Sequence, residues 1–183
     1  MNAVGQIISN LCDPRLPQDG ATKNYVDNKK CLVGYIPSLE ANSSKTGFTA
    51  AASSSYSSSW SPYMAFNSSI VPSSTGNEWA TASVNTNFWI SIACLDPVRI
   101  WRVALRGRYG NAERIYNWRI EGSTDNSVWT TLYTAANPTY LGGTIQFFNI
   151  RTTNLYQYYR LYYVNAETTN PGLSVFQLYI FNN

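Results

Sequence analysis

The stretch RGRYGNAERI, Arg106–Ile115, is the most suggestive set of hydrogen-bonding side chains in the 183-residue chain. Arg108, Tyr109, Asn111, Glu113 and Arg114 fall within seven positions. Guanidinium and amide groups supply directional donors of the kind that hydroxyl-rich ligands need, and a tyrosine ring offers a flat face for stacking. The alternative is an ion pair between Glu113 and one of the arginines that does no more than stiffen a turn. A second constellation is aromatic: Tyr56, Trp60 and Tyr63 punctuate the serine-rich run SSSYSSSWSPY. Such rings form a platform or pack into a core.

Other chemistries lose their parts. Histidine is absent, which removes the usual general base near neutral pH and the commonest metal ligand. Cys12, Cys31 and Cys94 lack metal-type spacing, and their odd number leaves at least one thiol unpaired. Buried or free thiols are expected. The carboxylates Glu78, Asp96, Asp125 and Glu167 form no motif, and each has a turn or capping role open to it. No enzyme is expected. A net charge of +3, scattered along the chain, gives no basic stripe for nucleic acid. No segment has the apolar length to cross a membrane as a helix. MNAVGQIISNL has neither the basic start nor the long apolar centre of a secretory leader, so any export is expected to follow another route.

What positions these residues is a chain of strands. In Ile100–Leu105 the alternation puts Trp101, Val103 and Leu105 on one face, and in Ile115–Gly122 it does the same for Tyr116, Trp118 and Ile120. Further strands are expected at Phe88–Ala93, Val128–Tyr133, Thr144–Ile150, Tyr156–Val164 and Leu173–Phe181. Between them stand the turn formers Asp125-Asn126, Asn137-Pro138, Gly142-Gly143 and Asn170-Pro171-Gly172. Seven or eight short strands at regular spacing predict an all-β jelly-roll sandwich. Ser53–Ser61 reads as a strand end and an ordered loop. Upstream, residues 1–40 are mixed in pattern, with a short helix expected near Ala21–Lys29.

Four stretches carry a family resemblance: TAAASSSYSSSWSPYMAFN, then NEWATASVNTNFWISIACLDPVRIWRVALRGR, then WRIEGSTDNSVWTTL, and last YYRLYYV with SVFQLYIF. In this order they resemble the discoidin, or coagulation factor 5/8 C-type, domain over residues 46–181. The likeness implies a galactose-binding-like sandwich that binds through loops at one end, here Tyr56–Pro62, Ser68–Glu78, Gly107–Ile115 and Asn165–Gly172. It makes Arg108, Tyr109, Asn111, Glu113, Arg114, Tyr56 and Trp60 the candidate glycan contacts. For Trp60 it favours the alternative of closing the sandwich end. RGRYGNAERI also resembles the fucose-binding loop of some family lectins, one residue shorter and without their histidine. Where relatives hold calcium with an Asp and a Glu, Asn67 and Gln177 stand. No cofactor is therefore expected; the two amides disfavour calcium, for which carbonyl ligands could remain.

Ahead of this region, DPRLPQDGATKNYVDN resembles the shaft-to-head repeats of phage and other viral fibres, with Gly20 where the pattern has Ala. That likeness implies a trimerisation segment at 1–40 and a homotrimer displayed on the virion surface. The head would attach to host cell-surface carbohydrate and reach the membrane only through its receptor. A ligand-free cap of the fibre, or a lipid-binding module, are the alternatives.

Overall fold

The computed structural model describes residues 34–36, 38–43, 47–67, 78–82, 86–108, 114–135, 139–140, 144–150, 152–166 and 170–180. The chain divides into two compact units, Met1–Leu32 and Val33–Asn183, and every described residue belongs to the second. The helix expected near Ala21–Lys29, Cys12 and Cys31 lie outside the described residues.

The described unit is an antiparallel two-sheet sandwich of jelly-roll type. In chain order its strands are β1 (Gly34–Tyr35), β2 (Thr49–Ala52), β3 (Trp79–Ala80), β4 (Thr86–Val98), β5 (Ile100–Gly107) and β6 (Arg114–Ser123). They continue as β7 (Thr130–Thr134), β8 (Thr139–Tyr140), β9 (Gln146–Asn149), β10 (Tyr156–Ala166) and β11 (Gly172–Ile180). One sheet runs β1-β11-β5-β9, with β3 also on β11; the other runs β2-β4-β10-β6-β7, with β8 also on β6.

Period-two alternation fills the space between the sheets. Phe88, Ile90, Ile92 and Cys94 of β4, Trp118 and Ile120 of β6, and Tyr159, Leu161 and Tyr163 of β10 all turn inward. Val103 and Leu105 of β5 and Phe176 and Leu178 of β11 complete the same core. Each such side chain contributes about 1.5–3 kcal/mol by leaving water. The rings also pack on one another: Phe88 stacks on Tyr163 at 4.5 Å, and Trp118 meets Phe148 edge-on at 4.8 Å. Tyr159 is buried and its hydroxyl donates to the Val98 carbonyl at 2.6 Å, so the core keeps a polar tip without an orphan there.

Trp101 corrects the simple alternation. A register shift in the β5–β11 pairing falls beside it, between Tyr179 and Ile180. Ile100 takes the core position instead, and Trp101 packs against Tyr179 at 5.7 Å with Arg102 above it at 4.4 Å. A bulge leaves two consecutive residues on the side that one would occupy. The strand expected from Val128 starts two residues later. Asp125 Oδ1 accepts the backbone N–H groups of Ser127 and Val128, both at 2.9 Å, and holds both residues in the turn.

The serine-rich segment is ordered loop, as its bracketing rings predict. The Ser53 hydroxyl accepts the N–H of Trp89 at 3.1 Å, and Ser54 Oγ accepts that of Ala82 at 3.2 Å. Two 3₁₀ turns follow, Ser58–Trp60 and Pro62–Phe66, and the second buries Phe66 against Phe176 at 5.1 Å.

Candidate functional site: a loop-end cleft

Three connections converge where β5 ends. The first is the β2–β3 loop. Ser57 caps the turn Ser58–Trp60 by accepting the N–H of Ser59, and the Ser61 hydroxyl donates to the Ser58 carbonyl at 2.8 Å. The Tyr56 N–H donates to the Ala80 carbonyl at 2.8 Å, tying the loop to β3. Short hydroxyl side chains serve this task well because they bond to nearby backbone.

The second is the β10–β11 connection. The Asn170 amide donates to the Thr81 carbonyl at 3.0 Å, and Thr81 N–H to the Pro171 carbonyl at 3.0 Å. Gly172 permits this approach: a Cβ there would sit 2.0 Å from the Trp79 carbonyl oxygen and 2.9 Å from Arg108 Cδ. No side chain fits.

The third is Arg108, one residue past β5. Its Nε stands 3.5 Å from Glu78 Oε2, its Nη1 donates to the Asn170 carbonyl at 3.0 Å, and its Cζ lies 4.4 Å from the centre of the Trp60 ring. One guanidinium thus ties together a ring, a carboxylate and a carbonyl from three segments. Glu78 is buried. Its charge also favours the cationic form of Arg106, against the burial that lowers the Arg106 pKa, and Arg106 is held by Ser174 Oγ at 2.7 Å.

Tyr56, Trp60, Ala80, Arg108 and Asn170 line a cleft of about 310 Å³. Tyr56 is 59% exposed, so its ring is free to stack on a flat apolar face. Arg108 and Asn170 bring polar groups to the same space. An open cleft with an aromatic wall and fixed polar groups binds by stacking and hydrogen bonding.

Three sequence-predicted residues meet here: Tyr56, Trp60 and Arg108. Tyr109, Asn111 and Glu113 lie outside the described residues. Arg114 opens β6, and its side chain lies outside them as well. Trp60 does not join the buried core; stacking by Arg108 holds it in the cleft wall, which corrects its reading as the closure of the sandwich end. Tyr63 packs instead against the core and leaves the expected platform. The expected ion pair of Glu113 lies outside the described residues; Arg108 reaches Glu78, thirty positions upstream. Asn170 and Glu78 fell within the expected binding loops Asn165–Gly172 and Ser68–Glu78, but neither was singled out as a contact. Their meeting at Arg108 depends on β3 and β5 both lying beside β11, which no local signal encodes.

Among the described residues no cluster of three or more His, Cys, Asp or Glu stands ready for a metal ion. Asn67 closes the turn Pro62–Phe66, and Gln177 Oε1 accepts from the Tyr179 hydroxyl at 3.5 Å. Cys94 is a free, buried thiol, and burial pushes its pKa up to about 12.

No curated protein matches the chain. Among solved structures it is similar to chitosan-binding module 1 of a chitosanase/glucanase from Paenibacillus sp. IK-5, at 28% identity and a TM-score of 0.59. That match covers 73% of this chain and 95% of that one. Chitosan-binding module 2 of the same enzyme, solved with chitotriose, matches at 22% identity and a TM-score of 0.59, covering 73% and 96%. A Clostridium perfringens module, CpGH89CBM32-5, solved with GalNAc-β-1,3-galactose, matches at 11% identity and a TM-score of 0.62, covering 73% and 95%. The family model of the F5/8 type C domain matches residues 49–176. That is most of the chain: the chain belongs to the F5/8 type C domain family.

Proposed function

We propose that the chain is a carbohydrate-binding module whose cleft takes one or two sugar residues of a glycan. The observation that carries this is the cleft wall itself: Tyr56 exposed for stacking and Arg108 held rigid beside Trp60 and Asn170. A pyranose has an apolar face and a hydroxyl rim, and this wall offers a partner to each. The similar modules solved with chitotriose and with GalNAc-β-1,3-galactose support a sugar as the ligand class. The proposed role is binding: Glu78, the carboxylate beside the cleft, is buried against Arg108.

The finer reading is that this module is the receptor-binding head of a viral or phage fibre, assembled as a homotrimer and attached to host glycans at the virion surface. It is supported by the likeness of DPRLPQDGATKNYVDN to fibre repeats. Single weak sites would gain through effective concentration when three heads share a stalk.

Isothermal titration with chitotriose, galactose and N-acetylgalactosamine, preceded by a glycan array, tests the first reading. Binding that disappears in Tyr56→Ala and Arg108→Ala, with folding intact, is the expected result; silence on every glycan sinks it. Light scattering tests the second. The full chain should be a trimer and a version starting at Thr46 a monomer, and two monomers would overturn the fibre reading.

A further inference from the structure

The outer face of the β4-β10-β6 sheet carries a second set of guanidiniums, rings and a carboxylate, on strands instead of loops. Because Trp118 and Ile120 of β6 and Tyr159, Leu161 and Tyr163 of β10 point inward, Arg119, Glu121, Arg160 and Tyr162 point outward. In the ladder Arg160 faces Glu121, and Tyr162 faces Arg119.

Glu121 is 3% exposed. Its Oε1 accepts Arg119 Nε and its Oε2 accepts Arg160 Nε, the latter at 2.5 Å. Rings fix both guanidiniums from the side. Arg119 Cζ lies 4.4 Å from the Tyr162 ring, and Arg160 Cζ lies 4.0 Å from Trp129 and 5.1 Å from Tyr162. The Tyr162 hydroxyl in turn donates to Asn87 Oδ1 at 3.1 Å.

Two cations share one anion. Glu121 is the one acceptor that either guanidinium meets among the described residues, and a guanidinium carries five N–H donors. The Arg119 side chain is 35% exposed and that of Arg160 16%, so donors remain within reach of solvent. Their planes are already fixed, and little rotamer entropy remains to be lost when an acceptor arrives. A carboxylate or sulfate matches a guanidinium edge bidentately. Half-buried Trp129 beside Arg160 offers a ring face to whatever carries that anion.

We propose that Arg119 and Arg160, clamped on Glu121, form a second binding site, for a carboxylate or sulfate group borne on a polysaccharide. It is separate from the cleft and draws on the sugar-binding reading only for the carrier. An acidic glycan would lie along the strand face whether or not a sugar fills the cleft.

The test is titration of the ¹⁵N-labelled full chain at fixed ionic strength with dextran sulfate, polygalacturonate and uncharged dextran. The indole N–H of Trp129 and the Nε–H groups of Arg119 and Arg160 are followed. At least one polyanion should shift these signals, sulfate or carboxylate being told apart by which one does, and dextran should not. Arg119→Gln should weaken that binding at least tenfold with its spectrum still folded, and Arg119→Lys by less. Arg102→Gln, which removes an equal charge from the other sheet, and Trp60→Ala at the cleft should leave it within twofold. No shift with either polyanion, an equal shift with dextran, or equal losses in Arg119→Gln and Arg102→Gln would overturn the proposal. Polyanion binding without any binding of neutral sugars would leave it standing and remove the cleft reading instead.

Discussion

The cleft and the β6–β10 face are assembled from the same three parts and end as different surfaces. At the cleft, Arg108, Trp60 and Glu78 come from segments up to 48 positions apart, and the loops that deliver them leave a hollow between Tyr56 and Asn170. On the strand face, Arg119, Glu121, Arg160 and Tyr162 are neighbouring rungs of one ladder, and the outcome is flat. Concavity comes from loops and rigidity from strands. The guanidiniums are also held differently. At the cleft wall Arg108 meets a carboxylate, a backbone carbonyl and a ring, whereas on the strand face two guanidiniums converge on Glu121. The first suits a neutral ligand that needs a fitted hollow, the second an anion that needs only fixed donors.

The largest expected difference lies in the carboxylates. Glu121→Leu removes the shared anion of two partly buried cations, and loss of one partner of such a pair costs about 3–5 kcal/mol. Glu78→Gln leaves Arg108 its bond to the Asn170 carbonyl and its place on Trp60, and should cost about 1–3 kcal/mol. Urea unfolding of the two variants reads this directly. Equal losses would break the contrast between a guanidinium with other partners to fall back on and two that converge on one carboxylate.

Both surfaces hang on one core, and Cys94 reports on it. Its folded pKa of about 12 lies above the ordinary value of 9.0. The folded state therefore holds this proton more tightly, and the resulting stability is full below pH 9 and lost as pH rises toward 12. In Cys94→Val the alkaline decline should be shallower than in the parent. A thiol that reacts with iodoacetamide at pH 8 in the native protein would show that the core opens locally.

Trp60→Ala should lower sugar affinity at least tenfold while costing about 1 kcal/mol of stability, the size of a half-exposed cation–π contact. Calorimetry and thermal melting together separate the two effects. A large fall in melting temperature with binding kept would return Trp60 to a purely structural role. The smallest effect is expected at Asp125. Backbone N–H groups of Val128 and Ser127 hold its carboxylate well below the usual range, so its contribution exists above about pH 4 and fades as pH falls below that. Asp125→Asn should melt slightly lower than the parent at pH 7, and the gap should narrow steadily as pH falls below about 4.

Much of the sandwich was legible in the chain. Phe88, Ile90 and Ile92, or Tyr159, Leu161 and Tyr163, alternate cleanly because each faces a core on one side only. Trp101 escaped the pattern because a bulge is a property of two paired strands, and one strand's alternation does not show it. The cleft was half legible. Tyr56, Trp60 and Arg108 stand out by residue type, in loops bounded by clear strands. Asn170 and Glu78 lay in the expected binding loops, but by type they read as a turn former and a carboxylate without a motif. The pair on β6 and β10 passed unnoticed: Arg119 and Arg160 read as ordinary outward charges on alternating strands.

The sequence by itself determined the periodicity, the turns, the missing histidine and hence the class of fold and of chemistry. Those are local properties, set by side-chain size, polarity and backbone preference over a few residues. Only the tertiary structure decided which arginine meets which carboxylate. Pairing Arg108 with Glu78, and Arg160 with Glu121 across 39 positions, depends on which strands lie side by side. That order is settled by burying the whole core at once, and no short stretch of chain contains it.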